Sequence, residues 1–208
     1  MITTMQSLSE VIRNRHSVRK YDPHYKIPRQ EIEEMLQEAM LAPSSSNLQP
    51  WRFIVIDDEE TKKELKAIAY NQEQVETSSA VIAVLGDIEM YKNVEKVYRS
   101  SYEAGFIDEE SMNKLIQNTN NSYPNAPVEA RANIASFDTG LVSMQLMLIA
   151  KANGYDTVTM GGFDKQKFAE RFDVPERYIP IVLIALGKAA APAHKTTRLP
   201  LEEMVRFI

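Results

Sequence analysis

Ala42-Pro43-Ser44-Ser45-Ser46-Asn47-Leu48-Gln49-Pro50-Trp51-Arg52-Phe53 is where a helix hands over to a strand. Upstream, Ile32, Met35, Leu36, Ala39 and Met40 recur at helical spacing behind Pro28 at a first helical position. Pro43 ends that helix, because its ring removes a donor and blocks the preceding turn. Ala42–Pro50 is therefore predicted as a loop and Arg52–Ile56 as a strand. Three hydroxyls and an amide in the loop offer directional, uncharged hydrogen bonds. Between Glu38 and Asp57 the only charge is Arg52. Taken alone, such a loop is more often a solvated turn.

Working outward, helices and strands alternate. Ser7-x-x-Glu10 is a capping box for a short helix with Leu8, Val11 and Ile12 on one face. Glu59–Tyr70 is predicted helical, and Ala80–Gly86 a buried strand. Residues 88 to about 121 read as polar helix with a break near Gly105–Asp108. Asn118–Pro127 is the most loop-like segment. Glu129–Asn153 is apolar on most sides and ends at Gly154, which predicts a central buried helix. Tyr155–Met160 is a strand, Asp164 caps a short helix, and Tyr178–Gly187 is a central strand. The last twenty residues read as extended, then weakly helical at Leu201–Arg206. No repeat or linker interrupts the pattern, so a single domain over 1–208 is expected, α/β or α+β in class.

Composition removes several functions. The chain has 208 residues and no cysteine, which excludes thiolate metal sites, disulfides and cysteine nucleophiles. Its 7 glycines form no phosphate-cradling loop of the dinucleotide or P-loop type. The net charge of −5 argues against nucleic-acid binding. Nothing at the N-terminus reads as a leader, and apolar runs such as Ile179–Leu186 are too short to span a membrane. A cytoplasmic protein is expected.

Positive charge is nevertheless concentrated. Val11–Tyr21 holds Arg13, Arg15, Arg19 and Lys20 without an acid, and Arg177–Leu201 holds Arg177, Lys188, Lys195 and Arg198 without an acid. Chance clustering or a focused anion site would both produce this. Arg15, Ser17 and Arg19 alternate, so an extended segment puts two guanidiniums and a hydroxyl on one face, a set suited to phosphate. His16 reads equally as a helix-end donor. Gly161-Gly162 after a strand lets backbone lie close to a flat ligand, or makes a tight turn.

These pieces, in order, resemble the nitroreductase family of FMN-dependent oxidoreductases. Arg15-His16-Ser17-x-Arg19 is similar to its N-terminal motif, and Ala42–Phe53 to its A-P-S-x-x-N-x-Q-P-W-x-F segment. Met160-Gly161-Gly162-Phe163 is similar to its turn after a strand. Leu186-Gly187-Lys188 with Arg198-Leu199-Pro200 is similar to its C-terminal end. The resemblance implies an α+β fold with a central, mostly antiparallel sheet, a long central helix and an extended C-terminal segment exchanged in a homodimer. It implies FMN at the dimer interface and NAD(P)H as electron donor. Arg15, Ser17 and Arg198 would bind the flavin phosphate, with His16 and Lys195 nearby and Arg19 at the pyrimidine edge. Pro43, Ser44, Ser45 and Asn47 would reach the flavin from the other subunit. Met160, Gly161 and Gly162 would lie beside the ring, and Asn71 at its polar edge. Gln74 stands where some members carry lysine, and Thr196 near another such lysine, with Lys195 as a substitute. No catalytic acid, base or metal is implied. The implied reaction is ping-pong hydride transfer to a nitroaromatic, quinone or similar small-molecule acceptor, with residues 88–127 as a helical lid. Other flavin chemistry on the same fold, or a non-catalytic flavin-binding protein, are the alternatives.

Overall fold

The computed structural model describes residues 7–208. The first six residues, part of the stretch read for a leader, lie outside the described ones. Four strands form one sheet in the order β1-β2-β4-β3: β1 Trp51–Ile56, β2 Ala80–Asp87, β3 Asp156–Met160 and β4 Tyr178–Gly187. Every pairing is antiparallel. β2 is buried along its whole length, as a continuous apolar run at a sheet centre requires. Pro180 sits inside β4, where it cannot donate to the ladder. The register shifts opposite it, between Val84 and Leu85.

Period-two alternation sorts the sheet into two covered faces. Val81, Ala83, Leu85, Val158, Met160, Leu183 and Ala185 face one side. There they meet Leu65 of α3 (Glu59–Ile68), Val75 of α4 (Glu73–Thr77) and Phe168 of α8 (Lys165–Arg171). Ile82, Val84, Ile184 and Leu186 face the other side. There they pack on Ile32 and Met35 of α2 (Arg29–Ala39) and on Val142 and Leu146 of α7 (Val128–Ala152). Each such buried aliphatic side chain contributes about 1.5–3 kcal/mol. A third cluster joins α5 (Val94–Glu103) to α6 (Glu109–Ser122) through Val94, Tyr98, Met112 and Ile116.

Local chemistry sets the ends. The capping box of α1 (Leu8–Asn14) is present, with Ser7 and Glu10 bonding each other's backbone. Asp58, Asp108 and Asp164 cap α3, α6 and α8 by accepting from the third N–H. Two expectations need correction. Pro28 is the N-cap of α2 rather than its first residue, since its ψ of 140° is not helical. The segment from Asn118 is not a loop throughout, because α6 continues to Ser122, carried by Met112, Ile116 and Thr119 on its buried side. A short helix, α4, was not foreseen.

α7 is 25 residues long and, among the described residues, the one helix long and apolar enough to cross a membrane by length and composition. It packs on α2 and on β2, β3, β4 and β1. One face of it stays bare: Phe137 is 65% and Met144 40% exposed, and a Cβ on exposed Gly140 between them would meet nothing within 4 Å.

The segment before α2 lies against the edge strand β3. Ser17 bridges Thr157, and the Val18 N–H donates to the Thr157 carbonyl at 3.1 Å. Tyr21 is buried against Gly187, where a Cβ would come within 2.9 Å of its ring. Its hydroxyl donates to the Ala185 carbonyl at 3.2 Å. Burial, then the charge of Asp156, pushes this phenol above its ordinary value. A raised folded-state value gives stability that is complete below the unfolded value of about 10 and is lost as pH rises beyond it. Melting temperature is therefore expected to fall between pH 9 and pH 11, and to fall less in Tyr21→Phe. Equal slopes in the two proteins would remove Tyr21 as the cause.

Candidate functional site

The segment 15–21 divides its side chains between core and surface. Val18 and Tyr21 go into the core, while Ser17 is half-buried and Arg19 exposed. Ser17 and Arg19 share the wall of a cavity of about 370 Å3 with Gln74 and His194. Gln74 is nearly buried, and its amide donates to Gln72 Oε1 at 2.9 Å and lies 3.3 Å from Met160 Sδ. Gln72 in turn donates to the Gly162 carbonyl at 2.9 Å. That chain of contacts ties the cavity to the end of β3. Gly161 and Gly162 are exposed, and a Cβ built on either meets nothing within 4 Å. Neither glycine N–H donates to another group among the described residues. Tyr70 and Asn71, at φ 55° and 59°, turn the chain after α3 and leave Asn71 exposed near Gln72.

Lys20 is also on this wall, and so is one carboxylate, Glu73. Arg15, Arg19, Lys20, Lys195 and Arg198 form no ion pair among the described residues. Arg15 caps the end of α1 and His16 is exposed beside it. Arg198 donates locally, to Thr196 Oγ1 at 2.9 Å and the Thr197 carbonyl at 2.7 Å. Arg15, His16, Lys195 and Arg198 are not on the cavity wall. The second basic island is thinner than its sequence suggests. Arg177 is spent on buried Asp87, and Lys188 donates to the Gly154 carbonyl and lies over the rings of Tyr25 and Tyr155.

The 43–50 loop lies elsewhere, and none of Pro43, Ser44, Ser45 or Asn47 is on that wall. It is tightly built. Ser46, Asn47 and Gln49 have left-handed φ of 50°, 51° and 48°. Such conformations cost about 1–2 kcal/mol each for residues with a Cβ. The cost is offset by anchors. Asp138 of α7 accepts from the Ser45 N–H at 3.0 Å and from its hydroxyl at 3.1 Å. Ser44 Oγ accepts from the Gln49 N–H at 3.0 Å. Tyr98 of α5 donates to the Ser46 carbonyl at 2.9 Å, and Tyr123 bonds the Ser46 hydroxyl at 3.0 Å. Burial pushes the Asp138 carboxyl up, against the pull of the two Ser45 donors. Sequence reasoning missed Asp138, Gln72 and His194. Only Asp138 carried a signal, as the one carboxylate of an apolar helix beyond its first turn.

The residues fit FMN in two respects. Unpaired cations beside Ser17 suit a phosphate. The open space over Gly161 and Gly162, with two free N–H donors, suits a flat ring.

Solved structures share this fold almost completely. One, from Exiguobacterium sibiricum 255-15 and described as a "putative nitroreductase in complex with FMN", superposes with a TM-score of 0.95 at 42% identity, covering 100% of both chains. The antiparallel sheet, the long α7 and the glycine exit thus define a nitroreductase-like α+β fold. A Bacillus subtilis protein named "Putative NAD(P)H nitroreductase YodC" is 42% identical over 98% of this chain and 100% of its own. The CLA biosynthesis enone reductase of Lactiplantibacillus plantarum is 37% identical over 97% of this chain and 94% of its own. The model of the nitroreductase family matches residues 12–188, and the chain belongs to that family.

Proposed function

We propose that the protein is an FMN-dependent oxidoreductase. Bound FMN would accept hydride from NAD(P)H at N5 and pass it to a nitroaromatic, quinone or similar electron-poor acceptor in a ping-pong cycle. Family membership and the FMN complex of a 42% identical structure support the cofactor. The enone reductase among the relatives supports including polarised C=C bonds among the acceptors. The observation that carries the reading is the open glycine exit beside cations that form no ion pair among the described residues.

On this reading Arg15, Ser17 and Arg198 hold the phosphate, with His16 and Lys195 close by. Arg19 meets the pyrimidine edge, where its fixed charge favours the negative charge that reduction places there. Gln74 supplies a neutral amide, which leaves that task to Arg19. Met160, Gly161 and Gly162 back the ring, with a glycine N–H toward N5, and Asn71 bonds the polar edge. Pro43, Ser44, Ser45 and Asn47 serve the flavin of a second subunit, which accounts for their absence from the Ser17 cavity. A homodimer is supported by the bare face of α7. Gly140 costs that helix about 1 kcal/mol relative to alanine and has no neighbour in its own chain, as a close helix crossing by a partner would require. Exposed Leu199, Leu201 and Phe207 give the C-terminal segment an apolar surface to exchange. The chain acts as one domain with 88–127 as its lid, and the absence of cysteine suits the cytoplasm.

Anaerobic NADPH or NADH is expected to bleach the flavin absorbance near 450 nm of FMN-loaded protein, with colour restored by menadione or nitrofurazone. A flavin that stays oxidised with both nucleotides would make this a binding protein only. In Arg15→Ala, losing a phosphate-paired guanidinium is expected to weaken FMN by roughly 1.5–3 kcal/mol. Unchanged affinity on fluorescence titration would remove Arg15 from the phosphate site.

A further inference from the structure

A second cavity, of about 610 Å3, lies between the 43–52 segment and α5. Its size is that of a small-molecule site. Asn47, Gln49, Arg52, Asn93, Lys96 and Phe106 are on its wall, and no carboxylate is. Arg52 is fixed there rather than free. Its Nη1 donates to the carbonyls of Gln49 at 3.2 Å and Trp51 at 2.7 Å, and its Nη2 to Asn93 Oδ1 at 3.4 Å. Asp87 is 3.6 Å away, but that buried carboxylate already takes two shorter hydrogen bonds from Arg177, at 3.0 and 2.5 Å. Arg177 also reaches Glu89 at 3.6 Å, and Glu89 pairs with Lys92 at 2.6 Å, so two carboxylates are shared by three cations and positive charge remains beside the cavity. Lys96 has no ion pair among the described residues, although Glu95 beside it pairs with Arg99.

We propose that this cavity takes the anionic group of a substrate, a carboxylate or phosphate, between Arg52 and Lys96. The Asn47 amide supplies a further donor, held in place by Gln49, whose own amide donates to Asn47 Oδ1 at 3.3 Å, and Phe106 gives an apolar wall at the rim. The proposal rests on the flavin reading in one respect. Asn47 belongs to the loop assigned to the flavin, so the cavity adjoins the reacting face and the bound anion would orient the rest of the substrate. Two sources share the chemistry: a carboxylated acceptor, or a phosphate of the nucleotide donor.

The test uses FMN-loaded Lys96→Glu, with Lys96→Arg as the charge-conserving control. Two ratios are measured: kcat/KM for 4-nitrobenzoate over 4-nitrobenzyl alcohol, and kcat/KM for NADPH over NADH. One ratio is expected to fall about fivefold to tenfold in Lys96→Glu and to return in Lys96→Arg. A fall in the first identifies an acceptor carboxylate, and a fall in the second a nucleotide phosphate. A merely structural effect would lower both partners of each ratio together. Binding of 4-nitrobenzoate and of NADP+ by calorimetry gives a readout that needs no turnover. If the wild-type flavin is not reduced, the flavin reading fails, and calorimetry alone then decides the cavity. Both ratios and both affinities unchanged within about twofold in Lys96→Glu would overturn the proposal.

Discussion

Gly162→Leu is expected to yield a folded protein that no longer holds FMN. The backbone there is not left-handed, so a side chain brings no strain, and its Cβ meets nothing within 4 Å. The added isobutyl group would occupy the space assigned to the flavin ring. Overfilling a core that can relax costs about 1–3 kcal/mol. A rigid tricyclic ring has little means to relax, so the loss is expected above about 3 kcal/mol, more than a hundredfold in Kd. Far-ultraviolet circular dichroism and a thermal scan of the apoprotein check the fold, and FMN titration checks the site. Undiminished binding by a folded variant would place the ring elsewhere.

Asp138→Ala is expected to cost about 3 kcal/mol of stability and to weaken FMN as well. Two hydrogen bonds to a carboxylate are lost, each worth about 1.5–3 kcal/mol, less the relief of no longer burying that carboxylate. The three left-handed residues that follow Ser45 then lose their anchor on α7. Asp138→Asn keeps the shape and one acceptor, and should lose less than half as much. Urea unfolding and FMN titration of both variants measure this. A variant as stable and as tight as wild type would show that the loop holds its shape without Asp138.

The elements were legible where one local rule dominates. Ala80–Asp87 and Tyr178–Gly187 are continuous apolar runs, and the caps at Ser7 and Asp164 are short-range chemistry. Asn118–Ser122 was misread because Asn and Ser favour turns, while the burial of Ile116 and Thr119 carries the helix onward. The site was legible as motifs and opaque as geometry. Nothing near Ser45 in sequence points to Asp138, 93 residues away. Nor does Arg177 announce that its charge belongs to Asp87, 90 residues earlier. Asn adopts left-handed backbone more readily than most residues and Ser46 bears the cost without a glycine, so the strain at Ser46 and Asn47 left no mark in the composition.

The fully buried β2 also governs how the molecule is made. Its partner β1 precedes it in the chain, joined through α3 and α4, but its other partner, β4, begins at Tyr178, about 90 residues after β2 ends. During synthesis at about 5–20 residues per second, that edge stays unpaired for roughly 5–20 s. Through that interval the nascent chain displays a strand of valine, isoleucine, alanine and leucine, the composition most prone to pairing with a neighbour. The centre of the sheet is thus assembled late, only once β4 has left the ribosome to cover the open edge of β2.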